Sequence, residues 1–161
     1  MAVPLTLLAV MRRQYGATGA GLVVLALGLA WFADTGAYFA GRFLGQHKLY
    51  EAVSPNKTVE GAVGGLTAGV VWALLASTTY LRGALPISHA LLIGVAAGVL
   101  GPAGDLGESL LKRSTGVKDS GAIVPGHGGI LDRVDAVIVT TIVVFLYTVW
   151  RGSSFRAAVV T

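Results

Sequence analysis

Long apolar runs, broken by short charged stretches, set the organisation of this chain. Crossing about 30 Å of hydrocarbon as a helix takes roughly 20 residues. Four runs meet that length, at residues 20–40, 61–81, 87–106 and 132–150. The pattern predicts an all-α fold, a polytopic transmembrane helix bundle making one membrane domain over residues 1–161. Residues 1–11, MAVPLTLLAVM, are apolar but too short to cross alone. A signal peptide carries its charge before the apolar run, whereas Arg12 and Arg13 follow this one. The segment therefore reads as a short helical stub, the tail of a helix.

Four spans place the 41–60 and 107–131 loops on one side of the membrane. That side holds Arg42, Lys48, Lys57, Lys112, Arg113 and Lys118, with Arg133 at its edge, against Arg12, Arg13, Arg82, Arg151 and Arg156 opposite. A seven-to-five excess of basic residues favours the first side as cytoplasmic. The acids are more lopsided. Glu51, Glu60, Glu108 and Asp119 lie in those two loops, and Asp34, Asp105, Asp132 and Asp135 lie at or inside the span ends facing them. The pattern thus predicts one carboxylate-rich membrane face.

Composition agrees with a membrane location. Of 161 residues, 54% are hydrophobic and 12% charged, about half the charged fraction of a soluble domain. The mean hydropathy is +0.73. Gly61, Gly65 and Gly69 make overlapping GxxxG steps and Gly94 with Gly98 another, which let helix backbones approach closely in lipid. Cysteine is absent, so disulfides and thiolate metal sites are excluded. The net charge of +4 suits anionic lipid head groups or anionic substrates. With no arginine-rich arm and no basic patch interleaved with aromatics, nucleic acid is not an expected partner.

Asp34 interrupts an apolar run in WFADTGAYFAG, and Asp105 follows a Gly-Pro-Ala-Gly break. Asp132 and Asp135 are three apart and share a face if helical. An ionised carboxylate at mid-membrane costs roughly 2.5–3.5 kcal/mol, so four deep, unpaired ones would cost about 10 kcal/mol. Asp132 and Asp135 fit a helix start, where acids are favoured. Asp34 and Asp105 near span ends are expected to oppose the helix dipole instead. A shared cation accounts for all four, and oxygen-only ligands suit Mg²⁺ or Mn²⁺.

Lys57, Lys112, Arg113 and Lys118 fit either a solvated loop or a phosphate clamp. Pro125-Gly126-His127-Gly128-Gly129 lets backbone N–H groups approach an anion, though it is no Walker A motif. His127 fits an acid, a phosphate donor or a hydrogen-bonded loop residue. No serine sits in a nucleophile elbow. Together these parts read as phosphoryl or nucleotidyl transfer with a lipid as one substrate.

The run from Ser109 to Asp135, SLLKRSTGVKDSGAIVPGHGGILDRVD, resembles the signature of the phosphatidate cytidylyltransferases, or CDP-diacylglycerol synthases. Its fixed parts are S-x-x-K-R, K-D, P-G-H-G-G and D-R-x-D. ADTGAYFAGRFLG and SPNKTVEGAVGG resemble the family's upstream motifs, so the likeness covers residues 20–150. Asn56 and Val59 stand where Lys and Trp are common in the family. Ser120 stands in place of Phe, and Val124 in place of a larger aliphatic residue or Phe. Family members usually carry further transmembrane helices ahead of this part, so the chain is expected to be a catalytic portion.

The resemblance implies that CTP and phosphatidic acid give CDP-diacylglycerol and pyrophosphate, with Mg²⁺ required and more than one cation allowed. It implies catalytic roles for Lys112, Arg113, Lys118, Asp119, His127 and Arg133. Binding roles fall to Lys57, Gly126, Gly128 and Gly129, and metal ligation to Asp105, Asp132, Asp135 and Asp34. It also implies a bacterial inner membrane with the site facing the cytoplasm, membrane lipids as surroundings, and a homodimer. A CTP-dependent lipid kinase of the dolichol type would use similar parts but release CDP. An ion-transport module lined by Asp34 and Asp105 leaves the 109–135 pattern unexplained. A non-catalytic fragment needing a separate N-terminal partner is the remaining alternative.

Overall fold

A computed structural model describes residues 2–50, 54–114 and 130–152, with side chains placed for 4–49, 57–104 and 136–152. The described elements are α1 (Ala2–Gln14), α2 (Gly16–Leu44), β1 (Lys48–Tyr50), β2 (Ser54–Thr58), α3 (Val59–Thr78), α4 (Ile87–Ser114) and α5 (Ile130–Trp150). Among the described residues, three stretches are long and apolar enough to cross a membrane: Gly16–Leu44, Val59–Thr78 and Ile87–Gly104. In α5 the apolar stretch Ala136–Trp150 is shorter, but the whole helix has 21 residues. The all-α membrane bundle expected from the apolar pattern is the observed architecture.

The first expected boundaries shift. α1 runs three residues beyond the expected stub, to Gln14, and α2 starts at Gly16 rather than residue 20. Gly16 has φ +53°, a left-handed conformation that glycine adopts without steric cost. The chain turns there, and Arg12 Nη1 donates to the Gly16 carbonyl at 3.1 Å. Buried Met11 ties α1 into a core with Leu22, Leu25 and Leu29 of α2 and Val144 of α5. α2 is roughly 43 Å long at 1.5 Å per residue, so it outruns the hydrocarbon.

α2 and α3 meet through residues too small to hold them apart. A Cβ on Gly65 would lie 2.9 Å from the Ala33 carbonyl oxygen, and one on Gly61 would lie 3.0 Å from that of Ala37. α3 and α4 repeat the device, since a Cβ on Gly98 would lie 2.9 Å from Leu66 Cα and one on Gly94 2.7 Å from Val70 Cα. The glycine steps read from the sequence are thus helix–helix seams. Trp72 adds a polar tie from α3 to α2, donating Nε1–H to the Leu25 carbonyl at 3.2 Å and stacking on Phe32 at 4.5 Å. Trp31, Phe43, Leu92, Leu146 and Trp150 stay exposed around the bundle. That apolar perimeter is suited to lipid.

At the far end, Ser77 Oγ donates to the Leu85 carbonyl at 2.7 Å across the α3–α4 connection. There His89 of α4 lies 3.1 Å from the Tyr147 hydroxyl of α5.

Two expectations are overturned. The Gly-Pro-Ala-Gly stretch does not break its helix: α4 continues through Pro102 to Ser114. Proline forgoes one hydrogen bond, to the Gly98 carbonyl. Packing of Gly98 against Leu66 on one side of Pro102 and of Gly104 against Val139 on the other carries the helix through. Because α2 and α4 run on to Leu44 and Ser114, Asp34 lies ten residues and Asp105 nine from the helix ends. The dipole acts within the last turn, so it does not oppose these carboxylates.

A feature unforeseen from the sequence joins α2 to α3. β1 and β2 form an antiparallel hairpin, pairing Lys48 with Thr58 and Tyr50 with Ser54.

Candidate functional site

A cleft of about 670 Å³ opens between α2, α3, α4 and α5 at the end bearing the hairpin. Its walls are mostly alanine and glycine: Ala30, Ala33 and Ala37 from α2, Gly61, Ala62 and Gly65 from α3, Ala97, Gly98 and Gly101 from α4, and Ala136 from α5. The seams that bring the helices together therefore also leave the space between them. Polar groups enter from α2, α5 and the hairpin: Asp34, Tyr38, Arg42, Lys57, Thr58 and Thr140.

Local structure explains their placement. Asp34, Tyr38 and Arg42 recur every fourth residue, so they form a stripe along one face of α2. Thr58 caps α3, its Oγ1 accepting from the Gly61 N–H at 3.1 Å. Lys57 precedes it at the end of β2. Thr140 is buried and spends its hydroxyl on its own helix, donating to the Ala136 carbonyl at 3.0 Å. It brings little polarity to the wall.

Of the residues singled out in the sequence, the structure brings Asp34 and Lys57 together on this cleft. Asp105, Lys112 and Arg113 lie on the backbone of α4, and Asp132, Arg133 and Asp135 on that of α5. Asp105 follows cleft-lining Gly101 by one helical turn, and Asp132 precedes cleft-lining Ala136 by one. Asp132 and Asp135 stand on one helix, as their spacing requires. Lys118, Asp119, Gly126, His127, Gly128 and Gly129 lie outside the described residues.

Among the described residues, no three His, Asp or Glu side chains cluster closely enough to hold a metal. Asp34 is the carboxylate that lines the cleft among the described side chains, and a carboxylate oxygen is a donor that fits a hard cation such as Mg²⁺.

Arg42, Tyr38 and Thr58 are cleft residues that sequence reasoning did not assign to the site. For the first two, the signal was the four-residue spacing from Asp34. Thr58 was not singled out at all; its capping of α3 is a finding of the structure.

The family model for the cytidylyltransferase family matches residues 1–150. The chain belongs to the cytidylyltransferase family. It is 48% identical over 136 residues to a phosphatidate cytidylyltransferase of Bacillus subtilis, covering 83% of this chain and 48% of that protein. Against the phosphatidate cytidylyltransferase of Haemophilus influenzae the identity is 46% over 111 residues, 67% of this chain and 38% of the relative. The phosphatidate cytidylyltransferase of Synechocystis sp. is 41% identical over 132 residues, 82% and 44% of the two chains. This cytidylyltransferase-family chain spans about half the length of the curated relatives it matches.

Proposed function

We propose that this chain is the catalytic portion of a phosphatidate cytidylyltransferase, converting CTP and phosphatidic acid to CDP-diacylglycerol and pyrophosphate. One observation carries the reading: a single cleft joins Asp34, Arg42 and Lys57 to a wall of small residues between apolar helices. A substrate with an anionic head and an apolar body needs both surfaces at once. The relatives, named for this reaction, support the same assignment.

In the proposed reaction a phosphatidate oxygen attacks the α-phosphorus of CTP. A new P–O bond forms, the α–β P–O bond breaks, and pyrophosphate leaves with the bonding pair. No covalent enzyme intermediate is required, because the lipid phosphate is itself the nucleophile. The chain's work is to place two anions against each other and restrain them. Arg42 offers a forked donor set and Lys57 a point charge to phosphate oxygens. Lys112, Arg113, Lys118 and Arg133 extend that basic set. Asp119, His127 and the N–H groups of Gly126, Gly128 and Gly129 complete the polar side. Asp105, Asp132 and Asp135, with Asp34, would hold Mg²⁺ in one or more positions. The ion supplies charge neutralisation for the phosphates.

The reading extends to residues 1–161 acting as one membrane domain. It also places the cleft on the cytoplasmic side of a bacterial inner membrane, supported by the basic excess on that face. Pairing of two copies is supported by the family resemblance alone.

The test is to incubate the purified chain in lipid vesicles with labelled CTP and phosphatidic acid, resolving both products. CDP-lipid with pyrophosphate is expected. Release of CDP with a phosphorylated lipid would assign a kinase instead, and ion flux without CTP dependence would assign transport.

A further inference from the structure

His47 and Glu60 stand outside the cleft, and the proposed reaction gives them no role. Yet Glu60 takes up both nitrogens that His47 offers on that side. Its Oε1 lies 2.6 Å from His47 Nδ1, and the His47 backbone N–H lies 3.3 Å from each carboxylate oxygen. The neighbouring Val59 N–H donates to the His47 carbonyl at 2.9 Å. Residues 59 and 60 thus grip one residue at the point where the chain leaves α2 for the hairpin.

What lies between the gripped ends matters. The hairpin of β1 and β2 fills the interval, and three of its residues, Leu49, Lys57 and Thr58, line the cleft. Thr58 is packed against the end of α2, where a Cβ on Gly45 would lie 3.0 Å from its Oγ1. Lys57 sits one residue before this anchorage, at the base of the hairpin.

An ordinary surface ion pair would be a weak stabiliser. The His47 side chain is 76% exposed, and exposed pairs contribute little to global stability. Geometry gives this pair a different use: it ties the start of the hairpin, at His47, to the first turn of α3, while Thr58 is held at the α2–α3 seam.

We propose that Glu60 and His47 form a positioning clasp that holds the hairpin as a wall of the cleft and keeps Lys57 directed at an anionic substrate. The clasp deepens the cytidylyltransferase reading and rests on it for the kinetic consequence, though not for the structural one.

Because the chain has no cysteine, two spin labels can be attached through Lys48→Cys on the hairpin and Val63→Cys on α3, both exposed positions. Pulsed electron resonance on the full chain in lipid vesicles then reads hairpin position directly. A narrow distance distribution is expected for the labelled parent and for Glu60→Gln, which keeps an acceptor oxygen. A clearly broadened one is expected for Glu60→Ala and His47→Ala. Equally narrow distributions in all four would overturn the clasp.

With CTP as the varied substrate and no labels, Glu60→Ala should raise KM at least fivefold with kcat changed less than twofold. Glu60→Gln should keep KM within twofold of the parent. Lost kcat with an unchanged KM in Glu60→Ala would overturn the positioning role. If the unsubstituted chain turns over no CTP, the cytidylyltransferase reading fails, while the label distances still decide the clasp.

Discussion

Asp34 and Lys57 line the same cleft from different elements, the first from within a membrane-length helix and the second from the hairpin that follows it. Their opposite charges mark the two demands of the proposed reaction, cation binding and phosphate binding. Asp34→Asn should lower kcat/KM for CDP-lipid formation at least tenfold. Lys57→Ala should raise KM for CTP about tenfold, near the ~1.5–3 kcal/mol of a charged hydrogen bond. Steady-state kinetics in vesicles checks both, and parent-like values would remove these residues from the site.

Arg42 extends the Asp34 stripe by two turns. Arg42→Lys keeps the charge but loses the fork, so it should recover only part of the activity lost in Arg42→Ala. Full recovery by lysine would show that charge alone matters there.

Asp132 and Asp135 stand on α5 near cleft-lining Ala136. Asp132→Asn and Asp135→Asn should each cut Mg²⁺-dependent turnover at least 100-fold while leaving the melting temperature within a few degrees. Normal turnover in both variants would end the metal assignment. A helix-start role alone would give the opposite pattern, lowered stability with activity retained.

The glycine seam yields a stability prediction. A Cβ on Gly65 would lie 2.9 Å from the Ala33 carbonyl oxygen, whereas one on Gly101 would meet nothing within 4 Å. Gly65→Val should destabilise the bundle by about 1–3 kcal/mol, as overpacking does. Gly101→Ala should be far milder. Thermal unfolding in detergent distinguishes them.

Trp72 tests the polar tie between α3 and α2. Trp72→Phe removes the donor to Leu25 and should cost about 1 kcal/mol for the hydrogen bond, with added loss from the smaller ring against Phe32. An unchanged melting temperature would count against that tie.

Much of this molecule was legible because lipid imposes strong rules. Apolar length announced the helices, and glycine spacing announced close packing of α3 and α4, though not which helices they would meet. Pro102 misled because a proline that ends a helix in water can be carried by neighbouring helices in a membrane. The hairpin escaped because its strands span only Lys48–Tyr50 and Ser54–Thr58, too few residues for alternation to stand out. Asp34 was visible as a charge in an apolar run. Arg42 was not, because in a basic loop it looked like a topogenic charge. Its place on the cleft emerged only when α2 proved to run through it to Leu44.

The small residues lining the cleft have one more consequence. Alanine and glycine have no side-chain rotamers, so a molecule entering between these helices freezes none. On the proposed reading, discrimination along that wall would come from fit, with backbone spacing setting how thick an acyl portion is admitted. Long side chains such as Arg42 and Lys57 would lose conformational freedom on binding the proposed substrate, and that loss would be concentrated where the charges are. An apolar tail should therefore be held loosely in composition but strictly in girth, with the head group alone recognised by its chemistry.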